Sequence, residues 1–246
     1  MRGMSETFVL INGAWHGGWA WRPVAQQLRA AGHRVLTPTL PGLHDGDDPT
    51  RFALSDVVDA VVGLVEGENL RDATLVAHSW GGYPMTAAAP RLRERIKKLV
   101  YWSAFVPAAG RPLYDEVPPQ YQELFTGLAA ASGNNSIAMP FEVWQAAFMN
   151  DAPEAVQRAV HALMVPQPFQ YFTEAVEPLP TGIPAAYVLS VGDIALPPAS
   201  TAGRGSPTAS ASRRSRPRAA TRPASPSRRA WRRRCSRPDA PGRIAA

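Results

Sequence analysis

Short apolar runs alternate with amphipathic stretches through the first 106 residues. Residues 8–12 (FVLIN) form an apolar run closed by Gly13, the pattern of a strand buried on both faces. Residues 21–31 place apolar side chains at helical spacing, and Gly32 supplies a stop. The alternation continues with a strand at 34–40 closed by Pro41-Gly42, a helix at 54–68, a strand at 73–77, a helix at 83–93 and a strand at 98–106. A last apolar strand is expected at 183–191. Strands separated by helices pair in parallel and carry helices on both faces, so the pattern predicts an α/β fold with a mostly parallel sheet.

Between 107 and 180 the pattern changes to one rich in Pro and aromatic residues, with helical stretches at 121–131, 142–147 and 153–164. An insertion between two sheet strands is expected to lie over the strand ends as a helical lid. After Pro198 the character changes again. From Ala199 onward there is no Val, Leu, Phe, Tyr, Met, Glu or Lys. Such a segment cannot bury enough apolar area to order itself, so the chain is expected to divide into a folded domain at 1–198 and a disordered tail at 199–246.

Charge follows the same division. Thirteen of the 26 basic residues, all Arg, and one of the 20 acids (Asp239) lie after residue 200. The net charge of +6 is therefore −6 over residues 1–200 and +12 over the rest. The basic character belongs to the tail alone. The one cysteine, Cys235, also lies there, which excludes an internal disulfide. The apolar run at 8–11 is too short for a signal segment or a membrane span. These features lead to the expectation of a cytoplasmic protein with no membrane partner. Met4 is an alternative start.

The segment Ala77-His78-Ser79-Trp80-Gly81 is close to G-x-S-x-G, with Ala in the first position. That motif is a sharp strand-to-helix turn that lifts a serine hydroxyl clear of its neighbours, and small flanking residues let the backbone cross closely. The predicted strand before it and helix after it make Ser79 a candidate nucleophile; the alternative is a serine in an ordinary tight turn. The loop Asn12-Gly13-Ala14-Trp15-His16-Gly17-Gly18-Trp19 follows the first strand. A loop there presents one N–H to a developing oxyanion, and the residue after the serine presents the other, which nominates Ala14 and Trp80. A Gly-rich turn packed by tryptophans is the plainer reading. Asp193, after the last strand, stands where a carboxylate could orient a histidine.

The strings FVLINGAWHGGWAWRPVAQQL, LVAHSWGGYP and VLSVGDIALPP resemble the α/β-hydrolase branch that contains plant hydroxynitrile lyases, methyl esterases and many bacterial esterases. The resemblance covers about residues 6–198. It implies the α/β-hydrolase fold, with Ser79 as nucleophile, Asp193 as acid, and Ala14 and Trp80 as oxyanion donors. Two departures stand out. Asn12 replaces the usual His before the loop, and Gly13 stands where the cyanogenic lyases have a threonine that handles the cyanohydrin hydroxyl. The second departure favours hydrolysis over lyase chemistry.

Proton transfer from the serine needs a positioned base. In the family that histidine follows the acid, yet the histidines here are His16, His33, His44, His78 and His161. His161 falls in an insertion helix, where packing is the plainer role. His16 and His78 flank the loop and the serine and are candidates to line the pocket. Residues 199–246 are also what GC-rich DNA encodes out of frame. Read one base back, the tail is compatible with a helix, a strand, a Gly-Ser-His-Glu turn and a closing amphipathic helix, the histidine codon spanning Ala220 and Thr221.

The expected substrate is a small, largely apolar ester, lactone or similar acyl compound. Trp15, Trp144, Phe148 and Phe169, with Tyr171 and Phe172, are the candidate pocket wall. No metal constellation or phosphate-cradling loop is visible, so no cofactor is expected. The competing readings are a non-catalytic ligand-binding homologue, a hydroxynitrile-lyase-like C–C lyase, and an Arg-rich tail that binds nucleic acid. Few aromatics interleave the arginines, so nucleic acid is the least favoured partner. The oligomeric state stays open, a dimer included.

Overall fold

The computed structural model describes residues 5–195. The expectations for the tail at 199–246 and for Met4 lie outside them. Along the chain, β1 (Thr7–Ile11), α1 (Arg22–Ala30), β2 (Arg34–Leu36), α2 (Leu54–Gly67), β3 (Ala73–Ser79), α3 (Gly82–Ala88) and β4 (Ile96–Ala104) alternate as the pattern predicts. The insertion then supplies α4 (Pro119–Ala131), β5 (Ser136–Ile137), α5 (Phe141–Phe148), α6 (Glu154–His161), β6 (Gln167–Pro168) and α7 (Gln170–Thr173). The chain returns to the sheet as β7 (Ala185–Val188).

Among the described residues the main sheet has five strands in the order β2-β1-β3-β4-β7, every pair parallel. Successive residues of a strand face opposite sides, so β1 divides its apolar run between two cores. Leu10 joins Trp21, Ala25 and Val35 beneath α1. Val9 and Ile11 join Val57, Val61 and Val65 of α2 on the other face. This is why β1 reads as a continuous apolar run rather than an alternating one.

Several elements are shorter than expected. β2 ends at Leu36 rather than residue 40, because Thr37 and Pro38 turn toward the loop after β1. The Pro38 carbonyl accepts from Asn12 Nδ2 at 3.0 Å, and the Thr37 carbonyl lies 2.0 Å from where Gly18 would carry a β-carbon. α3 ends at Ala88 because Pro90 has no N–H to continue the hydrogen-bond ladder, although Ala89 itself keeps helical backbone. β7 keeps four of the nine expected residues. The insertion also holds a short antiparallel ribbon, β5–β6, beyond the helices its pattern predicts.

Candidate active site

β3 runs into α3 through a turn that only small residues permit. Ser79, its last residue, has φ +51°, a left-handed conformation costing about 1–3 kcal/mol for a non-glycine residue. The Phe105 N–H donates to the Ser79 carbonyl at 3.1 Å and anchors the turn against the end of β4. A β-carbon at Gly81 would come within 2.3 Å of the Asn12 carbonyl, and one at Gly82 within 2.0 Å of the Phe105 carbonyl. Ala77, in the first motif position, is fully buried between Ile11 and Tyr101, so a methyl is accommodated there.

The loop after β1 packs directly on this turn. A β-carbon at Gly13 would meet Nδ1 of His78 at 2.8 Å and Cβ of Ser79 at 3.1 Å. Ala14 follows, its carbonyl accepting from Nδ1 of His16 at 2.6 Å. Among the described residues, neither the Ala14 nor the Trp80 main-chain N–H donates to a protein acceptor. Trp15 is left-handed (φ +65°) and is bound to the insertion at three points: its N–H donates to Gln167 Oε1 (2.9 Å), its indole to the Ile137 carbonyl (2.9 Å), and its carbonyl accepts from Val165 N–H (3.1 Å).

Asp193 lies beyond the end of β7, in a loop tied to the sheet. The Ser190 N–H donates to Ser103 Oγ, and Trp102 Nε1 donates to Ser190 Oγ at 3.0 Å. Asp193 N–H donates to the Ser190 carbonyl, and its Oδ1 accepts from the Ala195 N–H at 2.9 Å. The field of this carboxylate reaches His78, whose ring lies 4.7 Å from that of Trp102 between centroids. Burial first, and then the nearby His16, pull the His78 imidazole down to about 4 against the opposing field of Asp193. His16 is lowered too, chiefly by burial, with its Ala14 hydrogen bond opposing. Both rings are thus neutral near pH 7.

The other histidines are engaged elsewhere or exposed. His33 Nδ1 accepts from the Glu6 N–H, His161 Nε2 bonds the Met139 carbonyl, and His44 lies on the surface. Among the described residues no histidine hydrogen-bonds to Ser79.

Ser79, Ala14 and Trp80 border a cavity of about 50 Å³, several times what one water needs. Trp15 and Phe148, both nominated from the sequence, form part of its wall, as does Phe172. Among the described residues no lining side chain is charged. Four nominated residues lie elsewhere. Trp144 faces the interior of the insertion, against Phe141 and His161. Phe169 packs edge-on to Tyr114. His78 turns toward Trp102, and His16 bonds the back of the loop near Trp19. Tyr171 also lies outside the wall and stacks on Trp80 (5.4 Å, 7° between planes). Sequence reasoning missed Leu113, Val117, Tyr121 and Phe125. The last two stand four residues apart on α4, one face of a helix, and that spacing was the available signal.

A five-stranded parallel sheet wound on both faces, with a serine on a strained turn at the end of its middle strand, defines a class. The chain belongs to the alpha/beta hydrolase family, which it matches over residues 8–221. It is 43% identical over 129 residues to a carbendazim hydrolyzing esterase from Nocardioides sp. (strain SG-4G), covering 49% of this chain and 52% of that protein. It is 33% identical over 129 residues to an alpha-hydroxynitrile lyase from Arabidopsis thaliana, covering 49% of this chain and 48% of that one. The chain thus spans about half the length of the curated relatives it matches. Among solved structures, an extracellular alpha/beta-hydrolase from a Paenibacillus species, described as sharing structural and functional homology with tobacco salicylic acid binding protein 2, is 32% identical. Its TM-score is 0.74, covering 78% of this chain and 81% of that one. Among the described residues no helix is long and apolar enough to cross a membrane, and no group of three or more His, Cys, Asp or Glu could hold a metal ion.

Proposed function

We propose that this chain carries the acyl-transfer site of a serine hydrolase acting on a small, uncharged, largely apolar ester, lactone or similar acyl compound. The Ser79 hydroxyl attacks the carbonyl carbon, the Ala14 and Trp80 amides hold the oxyanion, and the alcohol departs. Water then cleaves the acyl-enzyme. Asp193 is the carboxylate that would orient an imidazole base. One observation carries the reading: a serine at φ +51° borders an uncharged cavity together with two main-chain amides that donate to no protein acceptor among the described residues. The similarity to the carbendazim hydrolyzing esterase supports it.

The imidazole is the part this sequence does not supply. No histidine follows residue 161, and the five present are oriented away from Ser79 or held by other partners. The chain is therefore an impaired hydrolase. Loss of the base leaves the contribution of oxyanion binding and positioning, ~10³–10⁴-fold over water in well-studied triads. The same proposal reads residues 199–246 as out of frame, with the base encoded one frame away.

Hydrolysis of p-nitrophenyl acetate and butyrate by the 246-residue chain tests this. Slow turnover that disappears in Ser79→Ala is expected. Equal rates with and without the Ser79 hydroxyl would refute the site, and turnover at the rate of an intact triad would refute the impairment.

A further inference from the structure

We infer that Gln167, on the insertion, is a positioning residue for the Ala14 amide and acts through Trp15. The inference rests on the acyl-transfer reading above. An oxyanion donor works only if it is aimed before the reaction begins, and Ala14 sits on a loop with no regular structure of its own.

The peptide unit joining Ala14 to Trp15 is planar. Its carbonyl accepts from His16 Nδ1 at 2.6 Å, and its N–H donates to Gln167 Oε1 at 2.9 Å. Both polar atoms of that plane are therefore pinned, one from the loop and one from the insertion. On the other side of Ala14, Gly13 is wedged against His78 and Ser79. The Ala14 N–H is held between these two fixed points.

The clamp has a definite source. Ile137 and Gln167 are direct cross-strand partners in the β5–β6 ribbon. Ile137 accepts the Trp15 indole N–H and Gln167 accepts the Trp15 main-chain N–H. One rung of the ribbon thus grips one residue at both ends. Trp15 needs that grip, because its left-handed backbone is a conformation that a bulky residue avoids when unrestrained.

Gln167 itself reports what the position requires. It is fully buried, and its Nε2 has no hydrogen-bond partner among the described residues. A buried unsatisfied donor is costly, so packing alone does not explain an amide here. The position uses Oε1 as an uncharged acceptor 152 residues from the group it holds.

The test separates aiming from folding within one chain. The background carries Ser79→Cys, with Cys235→Ser to leave a single thiol. Two rates are followed by mass at that thiol. With p-nitrophenyl acetate, sulfur bonds to the carbonyl carbon and p-nitrophenolate leaves with the electron pair, through an oxyanion. With iodoacetamide, sulfur bonds to the methylene carbon and iodide leaves, with no oxyanion at a carbonyl. The ratio of the rates cancels thiolate fraction, access and fold.

Gln167→Met, close in shape, is expected to lower the ratio about tenfold, a fraction of what deleting an oxyanion donor outright removes. Gln167→Glu retains an acceptor oxygen and is expected to recover most of it. An unchanged ratio, or both rates falling in proportion, overturns the inference. If the parent thiol shows no higher ratio than free N-acetylcysteine, the acyl-transfer reading itself has failed. A high parent ratio that ignores Gln167 sinks only the positioning role.

Discussion

The imidazole of His78 occupies the space that a side chain on Gly13 would need: a β-carbon there would lie 2.8 Å from Nδ1. The resemblance to cyanogenic lyases puts a threonine at this position, and here there is no room for one while His78 keeps its place against Trp102. Gly13→Thr should lower stability by about 1–3 kcal/mol, the usual range for overpacking. Because the clash is shared, His78→Ala in the same chain should return part of that loss. A double-mutant cycle on urea midpoints checks it, and strictly additive effects would contradict the contact.

His78 also gives the fold a pH dependence of known sign. Burial first, then His16, hold its imidazole at about 4 in the folded chain, against an ordinary value of 6.5. The folded form resists a proton that the unfolded chain accepts. Its neutral form costs nothing above pH 6.5, and stability is lost as pH falls from 6.5 toward 4, by at most ~1.4 kcal/mol per unit. Replacing the ring with His78→Asn should make the urea midpoint fall less steeply across that window. Coincident slopes would contradict the shift.

Glycines at the turn and glycines on helices should respond in opposite directions. Gly82→Ala drives a methyl to 2.0 Å from the Phe105 carbonyl, a backbone atom that cannot step aside. A loss of about 3 kcal/mol or more is expected. Gly63, exposed on α2, has nothing within 4 Å of its β-carbon position. Gly63→Ala should gain roughly 0.5–1 kcal/mol through helix propensity. Thermal melts of both variants decide it; a tolerated Gly82→Ala would mean the turn is looser than described.

The edge of the sheet should limit solubility. Among the described residues β7 pairs with β4 alone, and beyond it Val191 is 84% exposed and Ile194 55%. Apolar side chains beside an open strand template association with other chains. Val191→Lys should slow the growth of light scattering at fixed concentration without moving the melting temperature. Unchanged scattering would place the sticky surface elsewhere.

The sequence disclosed whatever depends on local backbone demands. The turn at Ser79 could be read because Gly81 and Gly82 record how closely the chain crosses Asn12 and Phe105. The sheet could be read because β1, β3 and β4 are apolar on both faces. The cavity wall depends on how the insertion folds back, which no local pattern sets. Trp144 and Phe148 share α5, yet one is buried within the insertion and the other borders the cavity. The β5–β6 ribbon has two residues per strand, too few to show a period, so the grip of Gln167 on Trp15 left no trace in the sequence.

Acylation of Ser79 is the most direct measurement of the central claim. A chain with a nucleophile and oxyanion donors but no base is slow to acylate and slower still to release the acyl group. After incubation with p-nitrophenyl butyrate, peptide mass mapping should find the butyryl group on the peptide containing Ser79, persisting for hours and absent from Ser79→Ala. A chain that carries no adduct there, or that labels equally once the hydroxyl is removed, would contradict the account.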